Sequence, residues 1–194
     1  MRLAARGVAA TATAMLAPGQ RVTILAGPGG NGGDGLYAGA FLAEEGYSVA
    51  AILAADAAHE PALQAFTGAG GTITERLGEA DLLIDAVAGL ASTRGLSGAP
   101  LRAYTEAKER GIPVLAVDIP SGINADTGVA AAGAVEADVT ISFGWARAGH
   151  IFAPECGAVV LCDLRLPGAP RSFAEELSAT AEPVGYIANE PTIP

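Results

Sequence analysis

The chain has 194 residues, of which 51% are apolar and 16% charged, and its formal net charge at pH 7 is −10. This length predicts one domain, long enough to bury roughly two-thirds of the surface of its unfolded chain. The composition argues against disorder, and the negative charge argues against nucleic acid or an anionic membrane as a partner. No apolar stretch approaches the roughly 20 residues that span a bilayer.

Strand and helix patterns alternate along the chain. The predicted helices cover residues 2–16, 34–46, 60–69 and 98–110, and the predicted strands cover 21–26, 48–54, 81–87, 113–118, 138–143 and 157–164, with a weaker strand near 71–74. The strands are almost continuously apolar, which is typical of a parallel sheet buried on both faces. We therefore expect an α/β domain with a doubly wound, mostly parallel sheet, helices on both faces and ligands beyond the carboxyl ends of the strands.

A glycine-rich run, Gly27 to Gly35, separates the first strand from the second helix. We expect it to be a ligand loop and not a packing element, because glycines cost backbone entropy and bury no side chain. A strand followed by a glycine loop and a helix N-terminus binds anions through free N–H groups and the helix dipole. The run is neither a Walker loop nor a clean G-x-G-x-x-G, so it indicates a phosphorylated ligand without naming one. A flexible turn is the alternative.

Polar residues lie where predicted strands end. Asp34, Asp85 and Asp118 would all lie toward the carboxyl edge of a parallel sheet, where a desolvated carboxylate needs a partner or a ligand. Asn31, Asp85 and Ser121 offer hard oxygen ligands, which suit an alkali or alkaline-earth cation. Asp118 can serve as a general acid/base if apolar surroundings raise its pKa.

Each of these side chains also has a purely structural interpretation. Asp34 can cap the helix, and Asp85 can accept hydrogen bonds from loop N–H groups. Asp118 can belong to turn chemistry with Pro120-Ser121-Gly122. Arg94, in a loop rich in Ser, Thr and Gly, is either a phosphate clamp or a solvated arginine.

The two cysteines and the tail complete the residue-level analysis. Cys156 and Cys162 fall in one extended-looking segment, about 20 Å apart, which is too far for a disulfide. No further cysteine pair offers a zinc site, and a reducing cytoplasm is the natural location. Residues 168–194, after a domain covering 1–167, are predicted to be a surface extension or linker.

Four blocks, in order, resemble the NAD(P)H-hydrate epimerase family, also called the YjeF N-terminal domain. Gly27 to Gly35 matches the family's GPGNNGGDG loop at all positions but one, and the segment from Asp85 to Arg94 matches DALFGTGLxR loosely. Residues 113–128 are close to PVLAVDIPSGLDADTG. Residues 137–150 are similar to ADxTxTFGxxKPGH. The likeness spans about residues 20–167.

The resemblance implies a Rossmann-like domain that interconverts the R and S epimers of hydrated NADH and NADPH. It places Asp118 at the substrate as acid/base and assigns one potassium ion per subunit to Asn31, Asp85 and Ser121. The positions that match substrate-binding segments are Gly30, Asn31, Gly32, Gly33, Asp34, Gly89, Leu90, Ala91, Ser92, Thr93, Arg94, Gly95 and Asp118. It also implies a functional partner, an ADP- or ATP-dependent NAD(P)H-hydrate dehydratase.

Four departures from the family pattern bear on substrate and assembly. The first loop asparagine is Gly30, and the GTGL loop reads Gly89-Leu90-Ala91-Ser92. The lysine and proline of KPGH are Arg147 and Ala148. The chain begins without most of the N-terminal helical extension that commonly helps dimerisation in the family. A homodimer is therefore an expectation that the resemblance supports weakly.

Two other hypotheses stay open beside the epimerase. One is a non-catalytic nucleotide-binding module on the same fold, motivated by Gly30, Leu90 and Arg147. The other is a repurposed isomerase or cyclase on another small substrate, motivated by Ala91, where a glycine would let a pyrophosphate approach. The sequence does not decide between NADH and NADPH, or whether the chain is a fragment of a bifunctional protein.

Overall fold

The computed structural model describes residues 1–164, so the predicted extension at 168–194 lies outside the described residues. The described part holds a seven-stranded sheet in the order β3-β2-β1-β4-β5-β6-β7, in which every neighbouring pair is parallel. The strands are β1 Arg21–Ala26, β2 Ser48–Leu53, β3 Thr72–Ile73, β4 Leu82–Ala86, β5 Val114–Val117, β6 Val139–Phe143 and β7 Ala158–Cys162. The helices are α1 Arg2–Met15, α2 Gly30–Glu44, α3 Glu60–Gly68, α4 Gly98–Glu109 and α5 Ala148–Phe152, with a 3-10 turn at Pro154–Cys156.

Helices cover both faces of this sheet. Ile24 of β1 and Leu115 of β5 belong to one buried cluster with residues of α1, α2 and α3. Their neighbours in sequence, Leu25 and Ala116, belong to a second cluster with residues of α4. Successive side chains of a strand point to opposite faces, which explains why the strands read as continuous apolar runs. The predicted doubly wound α/β fold is confirmed.

The strand order reverses at β1, and this reversal positions the site. The chain runs from β1 outward to β2 and β3, and then returns to place β4 on the other side of β1. Ala26 pairs with Ala86, so the segments that follow β1 and β4 leave the sheet side by side. Ligands of open α/β sheets bind in the crevice at such a reversal, beyond the carboxyl ends of the strands.

The glycine run differs from the prediction. Helix α2 begins at Gly30, four residues before the predicted start, so the later glycines lie in its first turns. A Cβ on Gly32 would lie 1.8 Å from the carbonyl oxygen of Gly27, and a Cβ on Gly35 would lie 2.5 Å from the Cβ of Ala86. The expectation that these glycines are not packing elements was wrong, since they let α2 approach the ends of β1 and β4.

Smaller differences lie in the last third of the described chain. Cys156 belongs to the 3-10 turn and Cys162 to β7, so the two cysteines do not share one extended segment. Both thiols are free and buried, which agrees with the prediction that the two cysteines form no disulfide. Helix α5 was not predicted. Among residues 1–164, no helix has the length and apolarity needed to cross a bilayer.

Candidate active site

Asp118 follows directly after β5 in an unusual backbone conformation. Its φ is +70°, and no other residue except glycine has a positive φ in the described chain. Its N–H donates to the carbonyl oxygen of Ile141 in β6, at 2.7 Å. Positive φ is strained for a residue with a Cβ, and such strain concentrates at functional sites.

The Asp118 carboxyl group lies beside the loop that follows β4. Its Oδ2 accepts a hydrogen bond from the backbone N–H of Leu90, at 3.3 Å. Burial raises the pKa of Asp118, while the Leu90 N–H and the positive charge of Arg147 partly oppose that rise. The direction agrees with the raised pKa that a general acid/base requires.

Asn31, Asp85 and Ser121 come together although they stand on three segments. Ser121 donates to Asp85 through its N–H and its hydroxyl, each at 2.7 Å. The Ser121 hydroxyl oxygen accepts from the N–H of Ala88, and the Asn31 amide donates to the carbonyl oxygen of Ala88, both at 3.0 Å. The three residues therefore meet around Ala88 at the carboxyl ends of β4 and β5.

The chemistry of this cluster fits an alkali cation. Asp85 and Ser121 are fully buried, and burial raises the pKa of Asp85 while its hydrogen bonds from Ser121 and Val87 oppose the rise. Amide, carboxylate and hydroxyl oxygens are hard donors, which suit a hard cation and not a soft one. Among residues 1–164, no group of three or more His, Cys, Asp or Glu side chains could hold a metal ion.

Asp34 does not cap α2. The helix is capped by Gly29 without a side-chain hydrogen bond, and Asp34 lies inside the helix. Within the described chain, the buried Oδ1 of Asp34 has no hydrogen-bond partner. Burial raises its pKa to about 6, with a smaller contribution from the negative charge of Asp118. A desolvated, unpartnered carboxyl oxygen is costly unless a ligand hydroxyl or a proton satisfies it.

The segment from Gly89 to Gly95 is irregular and mostly exposed. Leu90, Ala91, Thr93 and Arg94 are exposed, so the proposed phosphate clamp at Arg94 stays a prediction. Ser92 accepts a hydrogen bond from the Arg94 N–H through its hydroxyl, at 3.3 Å. Gly95 has a packing role, since a Cβ there would lie 2.2 Å from the carbonyl oxygen of Ala132.

His150 contacts Asp118 and was missed as a site residue by the sequence analysis. Its ring Nε2 lies 2.6 Å from the carbonyl oxygen of Asp118, and its Nδ1 accepts from the N–H of Arg147 at 2.8 Å. The residue is 5% exposed. The only signal in the sequence was its place in the fourth family block, since the contact joins residues 32 positions apart.

Fold and site together define an α/β domain with a candidate nucleotide-binding active site at its topological reversal. The family pattern described as "YjeF-related protein N-terminus" matches residues 1–149. The chain belongs to this YjeF N-terminal family.

Relatives carry two kinds of name. The "Bifunctional NAD(P)H-hydrate repair enzyme Nnr" of Corynebacterium glutamicum is 36% identical over 185 residues, covering 82% of this chain and 32% of the relative. The "NAD(P)H-hydrate epimerase" of Microbacterium testaceum is 41% identical over 182 residues, covering 86% of this chain and 70% of the relative. The chain thus spans about a third of the length of the bifunctional relatives that it matches.

A solved structure supports the fold. The crystal structure of the yeast protein ynu0 has a TM-score of 0.71 and 20% sequence identity, covering 98% of this chain and 86% of the yeast chain.

Proposed function

We propose that this chain is an NAD(P)H-hydrate epimerase, an isomerase that interconverts the R and S forms of NADH and NADPH hydrated at C6 of the nicotinamide ring. The observation that carries the proposal is Asp118: a partly buried carboxyl group with a raised pKa, held in a strained conformation beside the reversal of the sheet. The names of relatives from Microbacterium testaceum and Clavibacter michiganensis support it.

The proposed reaction requires only proton transfer from Asp118. The C6 carbon carries a hydroxyl next to the ring nitrogen, so it is a hemiaminal centre. Protonated Asp118 donates its proton to the hydroxyl, the C6–O bond breaks with the electron pair leaving on water, and the ring nitrogen supplies electrons to C6. Water then adds to the opposite face of C6 and loses a proton to solvent, and the carboxylate of Asp118 takes up a proton from solvent, which restores both groups. Burial raises the pKa of Asp118, which favours a carboxyl group that can donate a proton in one half-reaction and recover it in the other.

The remaining site residues would bind the dinucleotide. The first turn of α2 presents the N–H groups of Gly30, Asn31 and Gly32 and the positive end of a helix dipole to a diphosphate. The N–H of Gly33 donates to the carbonyl oxygen of Gly29, so Gly33 would contribute close approach and not a free donor. Asp34 offers a buried oxygen that a ribose hydroxyl can satisfy. The loop from Gly89 to Gly95 would close over the nicotinamide, since the N–H of Leu90 already reaches Asp118.

Asn31, Asp85 and Ser121 would hold one potassium ion. When bound, such an ion would offset the buried charge of Asp85. The residues themselves tie the end of β4 to the segment after β5, and they thereby fix the start of the Leu90 loop relative to Asp118.

The S epimer would pass to an ADP- or ATP-dependent NAD(P)H-hydrate dehydratase. The bifunctional names of several relatives support a linked dehydratase activity. A cytoplasmic location and a homodimer are further parts of the proposal.

Turnover of the purified R-hydrate of NADPH tests the proposal. The reaction is coupled to an S-specific dehydratase, with potassium present and a control without the chain for spontaneous epimerisation. Acceleration over that control supports the epimerase. A folded protein that gives no acceleration overturns it. In that case, a rise in melting temperature with NADP⁺ would favour the non-catalytic binding module, and no rise would favour a different small substrate.

A further inference from the structure

We propose that His150 is a positioning residue for Asp118: its neutral imidazole ring donates a hydrogen bond to the main-chain carbonyl of Asp118 and thereby holds the carboxyl group in its reactive orientation. The inference rests on the proposed function, because it assigns to His150 an effect on the turnover step and not on ligand binding.

The ring tautomer follows from the two contacts of His150. The N–H of Arg147 points at Nδ1, so Nδ1 must carry a lone pair and no proton. In a neutral ring, the proton then lies on Nε2, which can donate it to the Asp118 carbonyl at 2.6 Å. The ring is 5% exposed, and burial lowers the pKa of His150, which keeps it neutral.

The contact supports a backbone conformation of Asp118 that is uncommon for a residue with a Cβ. The positive φ of Asp118 costs free energy, which surrounding contacts must offset. The residue is held on both sides: its N–H donates to Ile141 in β6, and its carbonyl accepts from His150 in α5. The direction of the Asp118 side chain is therefore set jointly by the sheet and by α5.

Helix α5 packs closely against the segment at Asn124 and Ala125, which fixes the position of His150 relative to Asp118. A Cβ on Gly149 would lie 2.7 Å from the carbonyl oxygen of Asn124 and 3.0 Å from the Cα of Ala125. The Gly149 N–H donates to the carbonyl oxygen of Ala125 at 2.7 Å. The helix thus rests on the segment that begins at Asp118, and His150 reaches back to that segment's first residue.

Two amide variants separate positioning from simple structural support. In His150→Gln, the amide nitrogen can take the place of Nε2 and donate to Asp118. In His150→Asn, the shorter side chain can replace only Nδ1, so it can accept from Arg147 but does not reach Asp118. We expect His150→Asn to lower kcat by about 10- to 100-fold, with KM and the NADP⁺-induced thermal shift close to wild type. We expect His150→Gln to retain kcat within about 5-fold.

The outcomes are distinguishable. Wild-type kcat in His150→Asn would overturn the inference, as would equal losses of kcat in the two variants. A change confined to KM would also overturn it. The tautomer provides a readout that needs no activity and no variant: the ¹⁵N shifts of His150 in the wild-type chain should show a protonated Nε2 and a bare Nδ1. A protonated Nδ1 would overturn the proposal. If the wild-type chain shows no epimerase turnover, the proposed function fails, and the tautomer still reports on the contact.

Discussion

Asp85 and Ser121 are joined by two hydrogen bonds of 2.7 Å, one from the backbone N–H of Ser121 to Oδ2 and one from its hydroxyl to Oδ1. Both side chains are fully buried. The Ser121 hydroxyl oxygen also accepts from the N–H of Ala88. This pair ties the carboxyl end of β4 to the segment after β5, so its contribution to stability can be measured apart from its proposed role in potassium binding.

Substitution Ser121→Ala should lower the free energy of unfolding by about 1–3 kcal/mol, because it removes one donor from a buried carboxyl group and the acceptor of the Ala88 N–H. Urea denaturation at pH 7 measures the change. The matched control is Ser97→Ala, since Ser97 is exposed and makes no side-chain capping bond to α4. Equal stability of the two variants would contradict the importance assigned to the Asp85–Ser121 pair.

Potassium should raise the melting temperature of the wild-type chain more than the same concentration of tetramethylammonium chloride. A ligand that binds only the folded state stabilises it by mass action, and tetramethylammonium is too large to enter a cluster of buried oxygens. The Ser121→Ala variant should respond equally to both salts. An equal response in the wild-type chain would argue against the cation site.

Asp34→Asn should make the chain more stable at pH 8 by about 1 kcal/mol, after allowance for solvent screening of this partly exposed group. Burial raises the pKa of folded Asp34 to about 6, so the unfolded state ionises first as pH rises. The folded state therefore loses stability between about pH 4 and pH 7, and the neutral amide escapes this loss.

Melting temperatures of Asp34→Asn between pH 4 and pH 8 test this sign. The advantage of the variant should be small near pH 4, grow toward pH 7 and then level off. Asp56→Asn, at an exposed position, provides the matched control for the substitution itself. A constant difference across the pH range would contradict the raised pKa of Asp34.

Two glycines at the start of α2 should respond to alanine in opposite ways. A Cβ on Gly30 would meet nothing within 4 Å, so Gly30→Ala should stabilise the chain by about 0.4–1 kcal/mol through the lower entropy of its unfolded state. A Cβ on Gly32 would collide with the carbonyl oxygen of Gly27, so Gly32→Ala should cost at least about 2 kcal/mol. Thermal unfolding of both variants decides. Similar stabilities would contradict the close approach of α2 to Gly27.

The sequence alone predicted the strands of the sheet well, but it predicted poorly where a loop ends and a helix begins. Continuous apolar runs mark strands buried on both faces, so the bounds of β1 were predicted at 21–26 and observed as Arg21–Ala26. The start of α2 was misplaced because glycine has low helix propensity. Glycine is used there because Gly32 approaches the carbonyl oxygen of Gly27 and Gly35 approaches Ala86 at the end of β4.

The candidate site shows the same division. Polar residues at strand ends indicated Asp85 and Asp118, because parallel strands share one carboxyl edge. The contact between Asp118 and His150 could not be predicted in this way. It depends on how α5 packs, and a helix of five residues is too short to show a periodic pattern in the sequence. It also depends on the positive φ of Asp118, which no local sequence pattern indicates.

Asp118→Asn tests the central claim, that Asp118 moves the proton in the epimerisation, most directly. The amide cannot exchange a proton with the substrate, so conversion of the R-hydrate of NADPH should fall to the rate without protein. The NADP⁺-induced rise in melting temperature should persist, and Asp56→Asn should convert the R-hydrate at the wild-type rate. Wild-type turnover by a folded Asp118→Asn protein would contradict the account.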